Sequence, residues 1–199
     1  MPELTTDLLL YAYTKGIFPM ADGRQGEVHW YSADPRAIIP LDTYQPQRSL
    51  RPILNKKLFE IRINTAFEQV MRYCAAPRST DSNTWISEEM IVVYKQLHQM
   101  GNAHSVEAWY EGELAGGLYG VTLGGAFFGE SMFTLRSNAS KVAFHYLIQQ
   151  LIGQGFILLD TQFINDNVLR YGAIEIAAEE YHHLLKTALA LPVSFTGVS

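Results

Sequence analysis

Apolar positions recur along this chain with two different periods, and the change of period near residue 104 divides it. In the first part the spacing is mostly helical. Leu8, Leu9, Ala12 and Tyr13 form one stripe and predict a helix over 3–15, capped by Thr5 or Thr6 and stopped by Gly16. Arg36 to Ile39, held between Pro35 and Pro40, reads as a short strand. A helix from Ser49 with Pro52 in its first turn and another over 65–74 flank the alternating strand Phe59-Glu60-Ile61-Arg62-Ile63. Residues 77–84 are a polar loop that delivers Trp85, after which Ser87 and two glutamates open a helix running to Met100 and ending at Gly101.

Beyond His104 the period shortens to that of strands. Strands are expected over 105–110, 113–123 and 126–133, joined by turns at Glu111-Gly112 and Gly124-Gly125. Gly116, Gly117 and Gly120 leave the middle strand open to close approach by another backbone or a ligand. A long helix over 138–153 follows, capped by Ser137 or Asn138, with Ala139, Ala143, Leu147 and Leu151 on its buried stripe. The apolar run from Phe156 then ends in Asp160 and Gln162. After a loop over 164–173 come a short apolar segment (Ile174, Ile176) and a helix over 179–191, ended by Pro192. This order implies an α+β, mixed α/β fold in two parts, 1–80 and 81–199, with the boundary at 76–84 or 101–104.

Composition adds limits. The 199 residues are 48% hydrophobic, enough for a core, yet no apolar run reaches the ~18 residues of a membrane span. The N-terminus carries no basic region or small-residue cleavage pattern, so a cytoplasmic protein without membrane partners is expected. Cys74 is the single cysteine and excludes an internal disulfide. The net charge of −5 is unevenly spread. Residues 36–78 hold eight basic side chains (Arg36, Arg48, Arg51, Lys56, Lys57, Arg62, Arg72, Arg78) against three acidic ones. From residue 101 onward four basic residues face nine acidic ones. A basic first half permits contact with a phosphate backbone, and equally a solvated surface with no partner.

Candidate chemistry concentrates between Phe127 and Gln162. Two strands and the helix between them bring Glu130 near Asp160 and Gln162, which are expected to project together from one strand face. A carboxylate at the end of an apolar strand demands a cationic partner or an elevated pKa. Gln162 is too weak a base to take a proton, but it can hold an amine by hydrogen bonding. Asp160 equally suits a structural loop cap, and the pattern alone does not choose. His104, His145, His182 and His183 lack metal-ligand spacing, so neither metal nor cofactor is expected. Nucleotide-binding glycine motifs and a serine-hydrolase elbow are absent.

The strings YTKGIFPM, HWYSADPRAIIP, TWI, HSVEAW, GGLYGV, GESMF, NASKVA, LLDTQ and YGAIEI run from residue 11 to 176. In this order they resemble the leucyl/phenylalanyl-tRNA–protein transferases. That resemblance implies transfer of Leu or Phe, and less readily Met, from aminoacyl-tRNA to proteins with N-terminal Arg or Lys, marking them for degradation. It implies a GCN5-type N-acetyltransferase-like C-terminal domain beside a smaller N-terminal one. Asp160 and Gln162 match the family's D-x-Q, and Glu130 the Glu of its GES motif. Leu118, Phe127, Met132, Phe144, Leu147 and Leu159 would line the aminoacyl pocket, and Trp85 would contact the terminal adenosine. Met20 stands where many members carry a second adenosine-side tryptophan. Lys56 and Lys57 are candidate tRNA contacts, and Arg170-Tyr171 replace a common Ser-Leu. The rival expectations are an acyl-CoA N-acyltransferase and an inactive tRNA-binding module.

Overall fold

The structure, a computed structural model, describes residues 4–77 and 84–197. Most of the expected 77–84 loop, and Arg78 with it, lies outside the described residues. Helix α1 (Thr6–Thr14) is capped by Thr5, whose hydroxyl accepts from the Leu8 N–H, and Gly16 takes the left-handed conformation at its end. The stretch after it forms a hairpin not foreseen from the sequence, β1 (Phe18–Ala21) with β2 (Val28–Tyr31). Then come β3 (Arg36–Ile38), the five-residue α2 (Arg51–Asn55), β4 (Glu60–Ile63), α3 (Phe67–Cys74) and α4 (Glu88–Gln99). Next follow β5 (Ala103–Tyr110), β6 (Glu113–Leu123), β7 (Ala126–Thr134), α5 (Ala139–Gln154) and β8 (Leu158–Gln162). Last come α6 (Asp166–Leu169), inside the expected loop, then β9 (Ile174–Ile176) and α7 (Ala178–Leu189). Asn138 precedes α5 in a left-handed conformation, and its side chain makes no cap bond.

Seven strands form one mixed sheet in the order β4-β5-β6-β7-β8-β3-β9. All neighbours are antiparallel except β7 and β8, which are parallel and therefore need the α5 crossover between them. β3 and β4 precede residue 80 yet are bonded into the same sheet as β5–β9.

Helices cover both faces. On one, Leu9 and Tyr13 of α1, Val70 and Met71 of α3, Tyr94 and Leu97 of α4, and Tyr181 and Leu185 of α7 pack on Tyr119, Phe128 and Leu158. On the other, α5 packs Ala143, Leu147 and Leu151 against Leu118, Phe127 and Leu159, with Phe195 from the C-terminal segment. Alternation along β6, β7 and β8 thus feeds successive residues into opposite cores. Two of the β6 glycines are filled by the protein itself. A Cβ at Gly116 would lie 2.7 Å from the Ala139 Cβ, and one at Gly120 would lie 2.3 Å from the Phe127 ring. Among the described residues no helix is long and apolar enough to cross a membrane.

Candidate active site

The parallel pairing of β7 with β8 lasts only three residues on each strand, Ala126–Phe128 opposite Leu158–Asp160. Beyond it the strands part, and a cavity of about 700 Å³ opens in the gap. Two β-bulges shape its rim. On β7 the register jumps from Ser131 opposite Tyr119 to Gly129 opposite Gly120, so Glu130 is the extra residue. On β8 it jumps from Gln162 opposite Ala37 to Asp160 opposite Ile38, so Thr161 is extra, and its hydroxyl donates to the Ala37 carbonyl at 3.2 Å. Gln162 itself adopts a left-handed backbone, φ 59°.

These irregularities send Asp160 and Gln162 to different places, where a regular strand would have put them on one face. The Asp160 carboxylate is fully buried (0% exposed) and absent from the cavity wall. Arg36, 1% exposed, donates to it twice, through Nε at 2.9 Å and Nη2 at 2.7 Å. The Tyr181 hydroxyl donates to Oδ2 at 2.6 Å, and the main-chain N–H of Gln162 to Oδ1 at 2.9 Å. Arg36 also donates to the Gly16 carbonyl at 2.7 Å, and its guanidinium lies between the Phe18 and Tyr181 rings, at 4.8 and 4.5 Å. Burial alone would lower the Arg36 guanidinium, but the bonds and charge of Asp160 outweigh it and hold it above its ordinary value. Asp160 has no lone pair directed at the cavity. Its bond to the N–H of Gln162 supports the unusual backbone there.

Gln162 does face the cavity and donates through Nε2 to Glu130 Oε1 at 3.4 Å. Glu130, partly buried in the wall, also accepts from the hydroxyls of Tyr13 at 2.6 Å and Tyr94 at 3.4 Å, and these two share a 2.6 Å bond. Burial raises the Glu130 carboxyl to about 7, and nearby Asp160 adds to this, while the tyrosine hydroxyls and Arg36 oppose it. Both hydroxyls are raised well above the ordinary tyrosine value, chiefly by burial, so they remain donors.

The cavity joins two unlike ends. Leu118, Met132, Phe144, Leu147 and Leu159 line the part beneath α5, while Trp85, Met20, Phe18 and Phe163 line the part towards β1. Phe127, expected in this pocket, is not in its wall. It sits where β7 and β8 are still paired, opposite Leu159, with its ring against Gly120 and 5.5 Å from that of Phe195. Lys56 and Lys57 follow α2, exposed and outside the wall. The basic excess is smaller than its count: Arg36 is consumed by Asp160, Arg62 by Glu60, and Arg72 by Glu68 and Glu88. Sequence reasoning missed Arg36, Tyr181, Tyr13 and Tyr94. The one available signal was an arginine opening the apolar run Arg36-Ala37-Ile38-Ile39. Among the described residues no cluster of His, Cys, Asp or Glu could hold a metal.

An apolar hollow that leads past a carboxyl–amide pair has the form of an enzyme pocket for a ligand with an apolar part. Comparison with known proteins gives that class a family. The leucyl/phenylalanyl-tRNA protein transferase model matches residues 38–186, and the model of that family's N-terminal domain matches residues 2–34. A leucyl/phenylalanyl-tRNA–protein transferase from Chlorobaculum tepidum is 55% identical over 94% of this chain and 96% of its own length. Another, from Gloeobacter violaceus, is 53% identical over 96% of this chain and 97% of its own length. The chain belongs to the leucyl/phenylalanyl-tRNA protein transferase family and is a transferase. Among solved structures, L-PGS from Bacillus licheniformis aligns with 83% of this chain and 56% of its own at 14% identity and a TM-score of 0.43, a likeness too slight to bear on function.

Proposed function

We propose that the protein moves Leu, and also Phe or Met, from aminoacyl-tRNA to the N-terminal amine of proteins beginning with Arg or Lys, marking them for degradation. The observation that carries this is the single cavity in which an apolar end and the Glu130–Gln162 pair meet. The donor side chain enters the hollow of Leu118, Met132, Phe144, Leu147 and Leu159, where burial selects apolar groups of this size. The terminal adenosine lies toward Trp85 and Met20, where stacking on the indole contributes about 1–3 kcal/mol. The strands β5–β8 with α5 serve as a GCN5-type acetyltransferase-like core, with Met20 of the N-terminal part and Trp85 just beyond that part on the adenosine side.

The ester of aminoacyl-tRNA is already activated, so the task is mainly to hold an unprotonated amine against it. Gln162 accepts a hydrogen bond from that amine through its side-chain carbonyl, while its backbone is held by Asp160. The amine nitrogen bonds to the ester carbon, the carbon–oxygen bond to the ribose breaks, and the proton lost by the amine ends on the ribose oxygen. Glu130, as a carboxylate near neutral pH, takes the proton from an incoming ammonium group or binds the donor's amino group. Arg36 and Asp160 act through Gln162 and touch no substrate atom.

The test is to incubate the protein with leucyl-tRNA and an Arg-initiated peptide, and separately with acetyl-CoA and that peptide, then weigh the peptide. A leucine increment is expected from the first mixture and none from the second. An acetyl increment alone would make it an acyl-CoA N-acyltransferase, and tRNA binding without any increment an inactive tRNA binder.

A further inference from the structure

Beside the main cavity lies a second, of about 500 Å³, between the end of β7, the first turn of α5 and the segment that follows α6. Met132 and Asn167 belong to both walls, so the two cavities adjoin. The wall carries Lys141 and Arg170 and, among the described residues, no aspartate or glutamate. Neither cation forms an ion pair with a carboxylate among the described residues. Gln47, also in the wall, donates to the main-chain carbonyl of Arg170 at 2.8 Å. That bond joins the cavity to the stretch bearing Arg48, Arg51, Lys56 and Lys57, all exposed and likewise without an ion pair among the described residues.

In a chain of net charge −5, a polyanion is attracted only where cations are left unneutralised. Lys141 and Arg170 are left facing the second cavity, and the Gln47 bond ties it to the segment that carries Arg48 and Arg51. A peptide acceptor that begins with Arg or Lys would be repelled by such a wall, whereas a nucleic acid strand would be held.

We propose that the second cavity is a phosphodiester subsite. Lys141 and Arg170 hold backbone phosphates of the RNA strand whose 3′ end carries the amino acid into the main cavity. This rests on the transfer function proposed above and adds the route by which its donor enters.

The test compares wild type with Lys141→Gln/Arg170→Gln on two donors, leucyl-tRNA and a leucyl-adenosine ester that has no phosphate. The double variant is expected to bind tRNA about tenfold more weakly at moderate salt, with the slope of log affinity against log salt reduced by about 1.4, roughly 0.7 for each lost contact to a single strand. Its KM for leucyl-tRNA rises in step, while its rate on the phosphate-free donor falls by less than about twofold, since no phosphate is there to lose. Unchanged affinity and slope would overturn the proposal. So would equal losses on both donors in a variant that unfolds in urea at the wild-type midpoint, which place the two side chains in the transfer step, or a raised KM for the acceptor peptide with tRNA binding intact. Should wild type transfer leucine from neither donor, transfer itself is refuted, yet the salt slope of tRNA binding still decides the subsite.

Discussion

Arg36→Met isolates the part of the site that is wholly buried. The substitution keeps an unbranched side chain of similar length and removes the guanidinium. Asp160 loses both bonds from Arg36, at 2.9 and 2.7 Å, and keeps those from Tyr181 and Gln162, while the Gly16 carbonyl loses its 2.7 Å donor. Stripping one partner from a buried ion pair costs roughly 3–5 kcal/mol, because the remaining charge is left in a medium that solvates it poorly. With native stabilities of about 5–15 kcal/mol the variant stays folded when cold. At a urea m-value of roughly 2 kcal/mol/M its midpoint falls by about 2 M. Activity falls further than stability, since Asp160 can no longer be relied on to hold the left-handed backbone of Gln162.

A double-mutant cycle separates the two effects. In Arg36→Met/Asp160→Leu the buried charge is gone as well as its partner, and replacing a buried pair by apolar groups is often neutral or stabilising. The urea midpoint should therefore recover in part, the remainder being lost to the Tyr181 hydroxyl, the Gln162 N–H and the Gly16 carbonyl, which are left without partners. Transfer of labelled leucine to an Arg-initiated peptide should not recover, because the Gln162 N–H has lost its acceptor. A single variant that costs less than about 1 kcal/mol would show that Asp160 does not depend on Arg36. A double variant that regains wild-type transfer would remove Asp160 from the positioning of Gln162.

Three further outcomes follow from the same contacts. Because Glu130 is held at about 7, wild-type transfer should fall as pH drops through 7, and Glu130→Gln should lose that limb while keeping the one near 8 that belongs to the acceptor's own α-amine. The folded state binds the Glu130 proton more tightly than the unfolded chain, so its stabilising contribution is complete below about pH 4 and lost as pH rises through 7. Melting curves should accordingly show Glu130→Gln gaining on wild type at pH 8 relative to pH 4, by at most roughly 3 kcal/mol; equal differences at the two values would refute the shift. Phe127→Leu should lower stability by about 1–2 kcal/mol and leave the ratio of Leu to Phe transfer unchanged, whereas a changed ratio would return Phe127 to the pocket wall. Glu107 is fully buried and accepts from the N–H groups of Thr65 and Ala66, the hydroxyls of Thr65 and Ser105, and the Trp109 indole. Glu107→Ala leaves these donors unmet just before α3 and should cost about 3 kcal/mol or more in denaturant unfolding, with donor choice unaltered.

The periodicity of the chain was enough for most elements and for the neighbourhood of the site, because both depend on local burial. Glu113–Leu123, the 16-residue α5 and the strand ending in Asp160-Thr161-Gln162 are each legible from apolar spacing. The two bulges are not, since one extra residue opposite a partner strand is a property of the pairing and leaves the spacing within its own strand intact. That is why Asp160 and Gln162, two apart, were expected together and instead face Arg36 and Glu130 respectively. Phe127 shares a core with Leu118 and Leu159, yet only those two reach the cavity wall, and spacing along a strand does not distinguish a residue that lines a cavity from one buried behind it. Arg36 was hidden for a different reason. Charge counted along the sequence treats every arginine as solvated, but this one is committed to a carboxylate 124 positions away. A buried acid at the end of an apolar strand requires such a partner. The requirement was readable from the sequence, and only the fold could say that the first residue of β3 meets it.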